Sequence, residues 1–467
     1  MFPSRPRPRT ATLLAAAAVG VYLLVAVGAT AALADAARAC SSWPGCAGSG
    51  LSAGVAVALG HRVVAVAVGI AVLAAAVATV RGDAGRRVAA ATVVALVLYP
   101  AQVAVGAFVA TSGAAAPLPG VHLLVGVGIF GALVVALAWH LEAETGGDDQ
   151  PLGASVPADP PEAPAGDDPV ASLADRRLGE RVRARALAYV RLMKPRLMWL
   201  LCLVAAAAMA LAGGPGLSVR TVVLTLGGGV LAIGASGTFN HVLERDRDRR
   251  MSRTSDRPLP THRIPARNAV AFGGGLAALS LAVFVQVNVL TAVLGLTAIL
   301  FYSVVYTLLL KPNTVQNTVI GGAAGALPAL IGWAAVTGEV GLPGLALAGF
   351  IFVWTPAHFY NLALAYKEDY ARGGFPMMPV VRGETTTRKH ILLWLGTTLA
   401  VAAALIGLTD LGWVAATATT ALGSVFLWAV VRLHREQTER AAFRAFHASN
   451  AYLGVVLLAV VVDALAL

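Results

Sequence analysis

The sequence predicts an all-α polytopic membrane protein with about 13 transmembrane helices, a four-helix bundle followed by a nine-helix bundle. Three observations carry this. Of 467 residues, 58% are hydrophobic and only 13% charged, with a mean hydropathy of +0.75, which excludes an ordinary soluble globular chain. Apolar runs of roughly 18–25 residues, enough to cross hydrocarbon, recur along the chain. The Lys and Arg residues fall in short loops, and those loops share one side if every run crosses. The net charge of +11 would otherwise suggest nucleic acid, but no extended basic stripe accompanies it. The bilayer is the expected partner, and nucleic acid is not.

The first apolar run, Thr10 to Leu33, follows Arg5, Arg7 and Arg9 and looks superficially like a signal peptide. Its apolar stretch is too long, so it reads as an uncleaved first span. Four runs precede Glu142, at about 11–33, 54–80, 88–110 and 119–139. Nine follow Arg185, at about 197–213, 221–239, 267–287, 289–309, 317–336, 343–363, 391–408, 412–432 and 447–465. Basic segments at 5–9, 81–87, 176–196, 245–267, 367–389 and 432–444, with Lys311, then lie on the cytoplasmic side of the cell membrane, together with the N-terminus. The loop holding Cys40 and Cys46 lies outside. Between the blocks, Glu142 to Leu178 is rich in Pro, Gly, Ala and acids, too poor in apolar side chains to fold alone. The expected domains are 1–141, a linker at 142–185, and 186–467; no internal repeat relates the two blocks.

In the first block, Cys40 and Cys46 sit six apart in a compartment where disulfides persist, so a disulfide is expected. Cys202, inside a span, reads as a packed small hydrophobe. His61 and His122 fall at similar depth near the outer surface, where neutral imidazoles can ligate haem iron; the plainer reading is two polar groups satisfied by packing. His140 marks the cytoplasmic end of its span. Over about residues 10–140 the block resembles one four-helix half of the haem A synthase family. The likeness rests on Cys40-Ser-Ser-Trp43-Pro44-Gly-Cys46, His61-Arg62, Gln102 with Gly106, and Val121-His122-Leu-Leu. It implies a bound haem with His61 and His122 as ligands. The glutamate that the family places three residues before the first histidine is Ala58 here, and the second half is absent. Methyl oxidation thus lacks its helping carboxylate, and haem binding, handover or assembly with a partner stands beside it as an expected role.

The second block is organised around Asn240-His-Val-Leu-Glu244-Arg-Asp246-Arg-Asp248-Arg-Arg-Met251, three carboxylates and four arginines where an apolar run ends. A solvated loop explains the arginines. The acids point further. At about 100° per residue, Asn240, Glu244 and Asp248 drift only about 80° around a helix, so one face carries an amide and two carboxylates, hard oxygen ligands suited to Mg²⁺ bearing a substrate phosphate. Asp246 points elsewhere. A second acidic pair, Glu368 and Asp369, falls on the same side, with Lys194, Arg253, Arg257, Lys311, Lys367 and Arg382 as cations for phosphate oxygens. Opening into a Gly/Ala-rich bundle, such a site suits an anionic head and a greasy tail, and an isoprenoid diphosphate fits. Ordinary loop charges that never meet are the bland alternative.

Residues 189–467 resemble the protoheme IX farnesyltransferase (haem O synthase) family of intramembrane aromatic prenyltransferases. The matching pieces include Lys194-Pro195-Arg196, Asn240-x-x-x-Glu244-Arg-Asp246-x-Asp248, Arg253-Thr254, Arg257-Pro258-Leu259-Pro260, Tyr306-Thr-x-x-Leu-Lys311, Asn317-x-x-Ile320, Trp354-Thr-Pro-Ala-His358-Phe, Tyr366-Lys-x-Asp369-Tyr and Pro376-Met-x-Pro379. The resemblance implies nine helices around a cytoplasmic-facing cavity, Mg²⁺, and farnesyl diphosphate and haem b as substrates, giving haem O for haem A and cytochrome oxidase biogenesis. Under it, Asn240, Glu244, Asp248 and Asp369, with Glu368 beside them, hold the metal, and Lys194, Arg196, Arg253, Arg257, Lys311, Asn317, Lys367 and Arg382 surround substrate. Tyr302 or Tyr306 faces an allylic cation. His241 and His358 are placed to contact the porphyrin. Partners expected for haem handover are haem A synthase or a second copy of the chain. Glu244 stands where the superfamily usually has Asp. Prenylation of a quinone-type ring acceptor, and haem binding or transfer without catalysis, are the rival functions.

Overall fold

Among the residues that the computed structural model describes, thirteen helices are long and apolar enough to cross a membrane, as the apolar runs predict. The structure describes all residues except 1–8, 31–35, 38, 41, 48, 49, 51, 113–116, 148–151, 153–176, 410 and 467, so most of the expected linker lies outside the described residues. Among the described residues no strand occurs. In hydrocarbon each peptide group must find its partner within its own segment, which a helix alone provides here.

The N-terminal block consists of α1 (Arg9–Gly28), α2 (Ala53–Arg81), α3 (Arg86–Ser112) and α4 (Leu118–Thr145). Then come α5 (Leu178–Leu192), α6 (Pro195–Ala212), α7 (Val219–Leu243), the single turn α8 (Arg245–Asp248), α9 (Ala266–Val285), α10 (Val289–Leu300) continuing as a π-helix over Phe301–Leu310, α11 (Asn317–Thr337), α12 (Leu342–Ala365), and short helices α13 (Lys367–Arg372) and α14 (Met378–Arg382). The chain closes with α15 (Glu384–Leu408), α16 (Trp413–Glu436) and α17 (Glu439–Ala466).

Boundaries follow local chemistry. Ser52, Ser218 and Asn288 cap α2, α7 and α10 by accepting from the amides of Val55, Thr221 and Thr291 at 3.3, 3.1 and 2.8 Å. Gly338, at φ +77°, ends α11 in the left-handed region. Several helices outrun their apolar cores: α4 continues to Thr145 rather than 139, α15 begins at Glu384 rather than 391, and α17 at Glu439 rather than 447. Hydropathy ends where hydrocarbon ends, but the hydrogen-bond ladder continues through charged turns at the surface.

Packing divides the chain into two compact units that do not coincide with the compositional blocks. One comprises residues 1–149 and 385–467, and the other residues 150–384. In the first, Tyr22 and Phe130 bring α1 and α4 together, ring centroids 5.3 Å apart. In the second, glycines permit close helix approach: a Cβ on Gly332 of α11 would lie 2.3 Å from the carbonyl oxygen of Ala205 on α6.

Candidate active site

The acidic stretch leaves α7 at Glu244, whose backbone (φ −94°, ψ 1°) breaks the helix before α8 restarts it. Hydrogen bonds from the Glu244 amide to Asn240 O (2.9 Å) and from the Asp248 amide to Glu244 O (2.8 Å) nevertheless preserve the four-residue spacing. Asn240, Glu244 and Asp248 are therefore all buried, at 1%, 3% and 0% exposure, while the Asp246 side chain is 66% exposed and pairs with Arg245 and Arg249. One face carries the oxygen donors, as the spacing predicts.

Opposite them, the π-helix Phe301–Leu310 closes with the Lys311 amide on Tyr306 O at 2.8 Å. Such widened turns recur at functional sites because they re-aim side chains. Here Lys311 donates to Glu244 Oε1 at 2.5 Å and lies 4.5 Å from the centroid of the Phe375 ring. Thr307 Oγ1 donates to Tyr302 O (2.8 Å) and accepts from Asn240 Nδ2 (3.0 Å). That bond fixes the amide of Asn240, whose Oδ1 accepts from the Lys194 ammonium. Lys194 precedes α6 in the left-handed region (φ 56°) and also donates to the Tyr302 hydroxyl at 3.2 Å.

The loop after α8 supplies the third side. Arg257 Nη1 reaches both Asp248 oxygens at 2.9 and 2.8 Å, and Thr254 Oγ1 donates to Asp248 O at 2.9 Å. Asp369, on α13, accepts from the backbone amides of Ser252 and Arg253 at 3.1 and 3.0 Å and pairs with Arg372. Arg253 lies over the Tyr366 and Tyr370 rings, 4.9 and 5.7 Å from their centroids. Segments 240–257, 302–311 and 366–375 thus converge, and the loop charges meet.

Burial and neighbouring cations set the protonation states. Burial, reinforced by Arg257, lowers the Lys194 ammonium to about 8. At Glu244 burial acts upward, but Lys311 and Lys194 outweigh it and hold the carboxyl below its usual range. Asp248 goes the other way: burial raises it and Glu244 adds to the rise, against the pull of Arg257. For Asp369 burial is outweighed by the hydrogen bonds from Arg372, Arg253 and Ser252, and the carboxyl is lowered. Burial and the surrounding cations thus pull two neighbouring carboxyls in opposite directions.

Lys194 and Tyr302 also line a cavity of about 80 Å³ between α6, α7, α10 and α11, together with Leu201, Ala205, Leu226, Ile233, Ala298 and Ile331. Its wall is largely apolar, with Thr225 and Ser236 as further polar side chains. An anionic group at the rim and a hydrocarbon chain inside would each meet matching chemistry.

Other expected residues stand apart. Glu368 is exposed although its neighbour Asp369 is buried, because the first turn of α13 turns only one of them inward. Lys367 pairs with Glu384. Arg196 and Arg382 are exposed. Asn317 is buried and serves the start of α11, donating to Thr314 O at 2.6 Å. His358 stacks on Trp354 with centroids 4.3 Å apart, and His241 is buried with Nδ1 unpartnered. Sequence reasoning missed Thr307 and Arg372. Arg372 was visible as a cation three residues after Asp369; nothing local signalled the π-helix that aims Thr307. Among the described residues no three His, Cys, Asp or Glu side chains gather closely enough to hold a metal ion by themselves. The oxygen donors suit Mg²⁺ only together with substrate phosphate, a hard ion that takes few protein carboxylates.

In the other unit Cys40 and Cys46 form a disulfide, Cα atoms 5.0 Å apart. Arg62 Nη1 holds its loop through Ser42 O (3.1 Å) and Pro44 O (2.8 Å), and Ala58 packs beneath it with Ala36 and Cys40. Gln102 Nε2 donates to His122 O at 2.9 Å, and a Cβ on Gly106 would lie 2.8 Å from the His122 ring. His61 Nδ1, His122 Nδ1 and Gln102 Oε1 are buried with no hydrogen-bond partner. Unsatisfied buried polar atoms are rare and call for a ligand or a role.

Residues 200–452 match the UbiA prenyltransferase family. The chain is 67% identical over 458 residues to a Haloarcula marismortui protein named protoheme IX farnesyltransferase, covering 97% of this chain and 98% of that one. It is 65% identical over 458 residues to a Natronomonas pharaonis protein named protoheme IX farnesyltransferase 1, again covering 97% and 98%. Alignments of that extent include the N-terminal block. A solved structure of digeranylgeranylglyceryl phosphate synthase superposes with a TM-score of 0.51 at 16% identity, over 61% of this chain and all of that one, a likeness of fold alone. Fold, site and relatives define a membrane-embedded prenyltransferase. The chain belongs to the UbiA prenyltransferase family.

Proposed function

We propose that the protein transfers the farnesyl group of farnesyl diphosphate to a vinyl group of haem b, giving haem O, at a site on the cytoplasmic side of the cell membrane. The observation that carries this reading is Lys194, which donates to Asn240 and Tyr302 in the charged cluster and also lines a largely apolar cavity. The shared name of the full-length relatives supports the choice of haem as acceptor.

In this reading Lys194, Arg257 and Lys311 exchange their present partners for diphosphate oxygens, with Arg253 beside them, which frees Asn240, Glu244 and Asp248 as oxygen donors for Mg²⁺; Asp369 would join them on leaving Arg372. The ion, when bound, neutralises charge on the diphosphate. The cations stabilise the same charge as it grows on the leaving group. The C1–O bond breaks with its electron pair going to diphosphate, and the allylic cation left behind faces the Tyr302 and Tyr306 rings. The vinyl π electrons form the new C–C bond. Water adds to the resulting carbocation and loses a proton, completing a hydroxyethylfarnesyl chain. The apolar cavity wall keeps water from the allylic cation before transfer.

For the N-terminal block we infer haem binding by His61 and His122, supported by their unpartnered buried nitrogens. Membranes bearing the whole chain, supplied with farnesyl diphosphate, Mg²⁺ and haem b, should yield haem O by mass spectrometry. Replacing Glu244 and Asp248 by Ala should abolish it. A prenylated quinone with haem b unchanged, or haem retained with no product, would sink the reading.

A further inference from the structure

The segment between the two blocks reads as a tether, yet the N-terminal block is packed against α15 and α16, with α17 joined to it through a shared hydroxyl. At one end Glu142 pairs with Lys389, Gln437 Nε2 donates to Thr145 O at 2.8 Å, and the Gly147 amide reaches Thr385 Oγ1 at 3.4 Å. Mid-membrane, Val134 of α4 enters the space left by Gly396 of α15, where a Cβ would lie 2.6 Å from Val134 Cγ1. Farther along, a Cβ on Gly407 would meet Leu123 at 3.3 Å. The step from Val134 to Leu123 equals that from Gly396 to Gly407, so α4 and α15 run antiparallel in register. A second seam joins α1 to α16 and α17: the Tyr22 hydroxyl, Thr419 Oγ1 and the Tyr452 hydroxyl form a buried chain with both links at 2.9 Å.

We propose that α15–α17 are a docking platform for the four-helix block, and that this interface, rather than the segment 150–177, holds the block in place. Between lipid-facing helices the hydrophobic effect supplies little attraction. Close approach at small residues and buried hydroxyl bonds supply it instead, and both occur here. A covalent connection by itself raises only the local concentration of the segments it joins. The platform recognises one partner, the α1/α4 face of this chain, by a glycine-to-valine register, a hydroxyl chain and one ion pair at the rim.

The test is a full chain carrying a protease site within 150–177 and a C-terminal tag. Cut in the membrane and extracted in mild detergent, the two pieces should be recovered in about equal amounts. Introducing Val134→Cys with Gly396→Cys gives a pair whose Cβ atoms sit near 3.3 Å, close to the roughly 3.5–4.5 Å of disulfides. Oxidation of cut membranes should then join the pieces on a non-reducing gel. Gly396→Phe should lower recovery of the N-terminal piece about tenfold. If that chain fails to accumulate, Lys389→Glu should lower recovery, and adding Glu142→Lys should restore it. Pieces that separate in detergent but cross-link in the membrane support the platform. Absence of the cross-link, or wild-type recovery in the Gly396→Phe or Lys389→Glu chain, overturns it.

Discussion

Lys311→Met is the sharpest probe of the site, because it removes the ammonium while keeping most of the stem that packs by Phe375. Glu244 would remain buried beside Asp248 without its nearest cation; the side chains of Lys311 and Glu244 are 12% and 4% exposed in the present pair. Removing one partner of a buried ion pair costs about 3–5 kcal/mol, and the partial exposure of Lys311 sets the expectation at the lower end, about 3 kcal/mol. With roughly 2–4 °C per kcal/mol for a domain of 150–250 residues, the melting midpoint should fall by roughly 6–12 °C. Size-exclusion melts of detergent-solubilised protein measure this. Glu244→Gln with Lys311→Met removes both charges and should regain most of the loss, because the unpaired carboxylate carries the penalty. Haem O formation should stay at least about 100-fold down in both chains, because a phosphate cation is gone in each. A midpoint for Lys311→Met within about 2 °C of the parent, or a double variant as unstable as the two singles combined, would refute the argument that this pair is buried and coupled.

Other outcomes follow from the same contacts. With Lys194 lowered to about 8, its ammonium is present below that pH and lost above it, so KM for farnesyl diphosphate should rise as pH climbs through about 8. Lys194→Arg should flatten that rise because guanidinium stays charged, and an unchanged alkaline limb would count against the role. Thr307→Val removes the hydrogen bond that orients Asn240 and should lower kcat/KM by roughly 5–30-fold, whereas Thr307→Ser should keep most activity; equal rates in both variants would deny Thr307 a positioning role. Gly332→Ala places a methyl 2.3 Å from backbone of α6 and should cost about 1–3 kcal/mol in thermal stability. Gly349→Ala, with nothing within 4 Å of its Cβ position, should be neutral in the same melt.

Hydropathy and charge along the chain determined the helix count, and the four-residue spacing of Asn240, Glu244 and Asp248 determined which acids face inward. Both are local properties: a span needs only its own residues to satisfy its backbone, and a helical face needs only its own period. Even there the ladder ran past the apolar core at Glu384 and Glu439, where hydropathy loses sight of it. Tertiary structure alone decided which charge meets which. Lys311 reaches Glu244 from 67 residues away, and the amide of Arg253 reaches Asp369 from 116, while the equally plausible Lys367 and Glu368 stay out of the cluster. The grouping of α15–α17 with the N-terminal block was likewise invisible in composition, since every apolar helix face offers lipid and protein nearly the same surface. Where hydrocarbon is the solvent, small residues and hydroxyls placed opposite one another choose the partner, and their opposition exists only once the chain has folded.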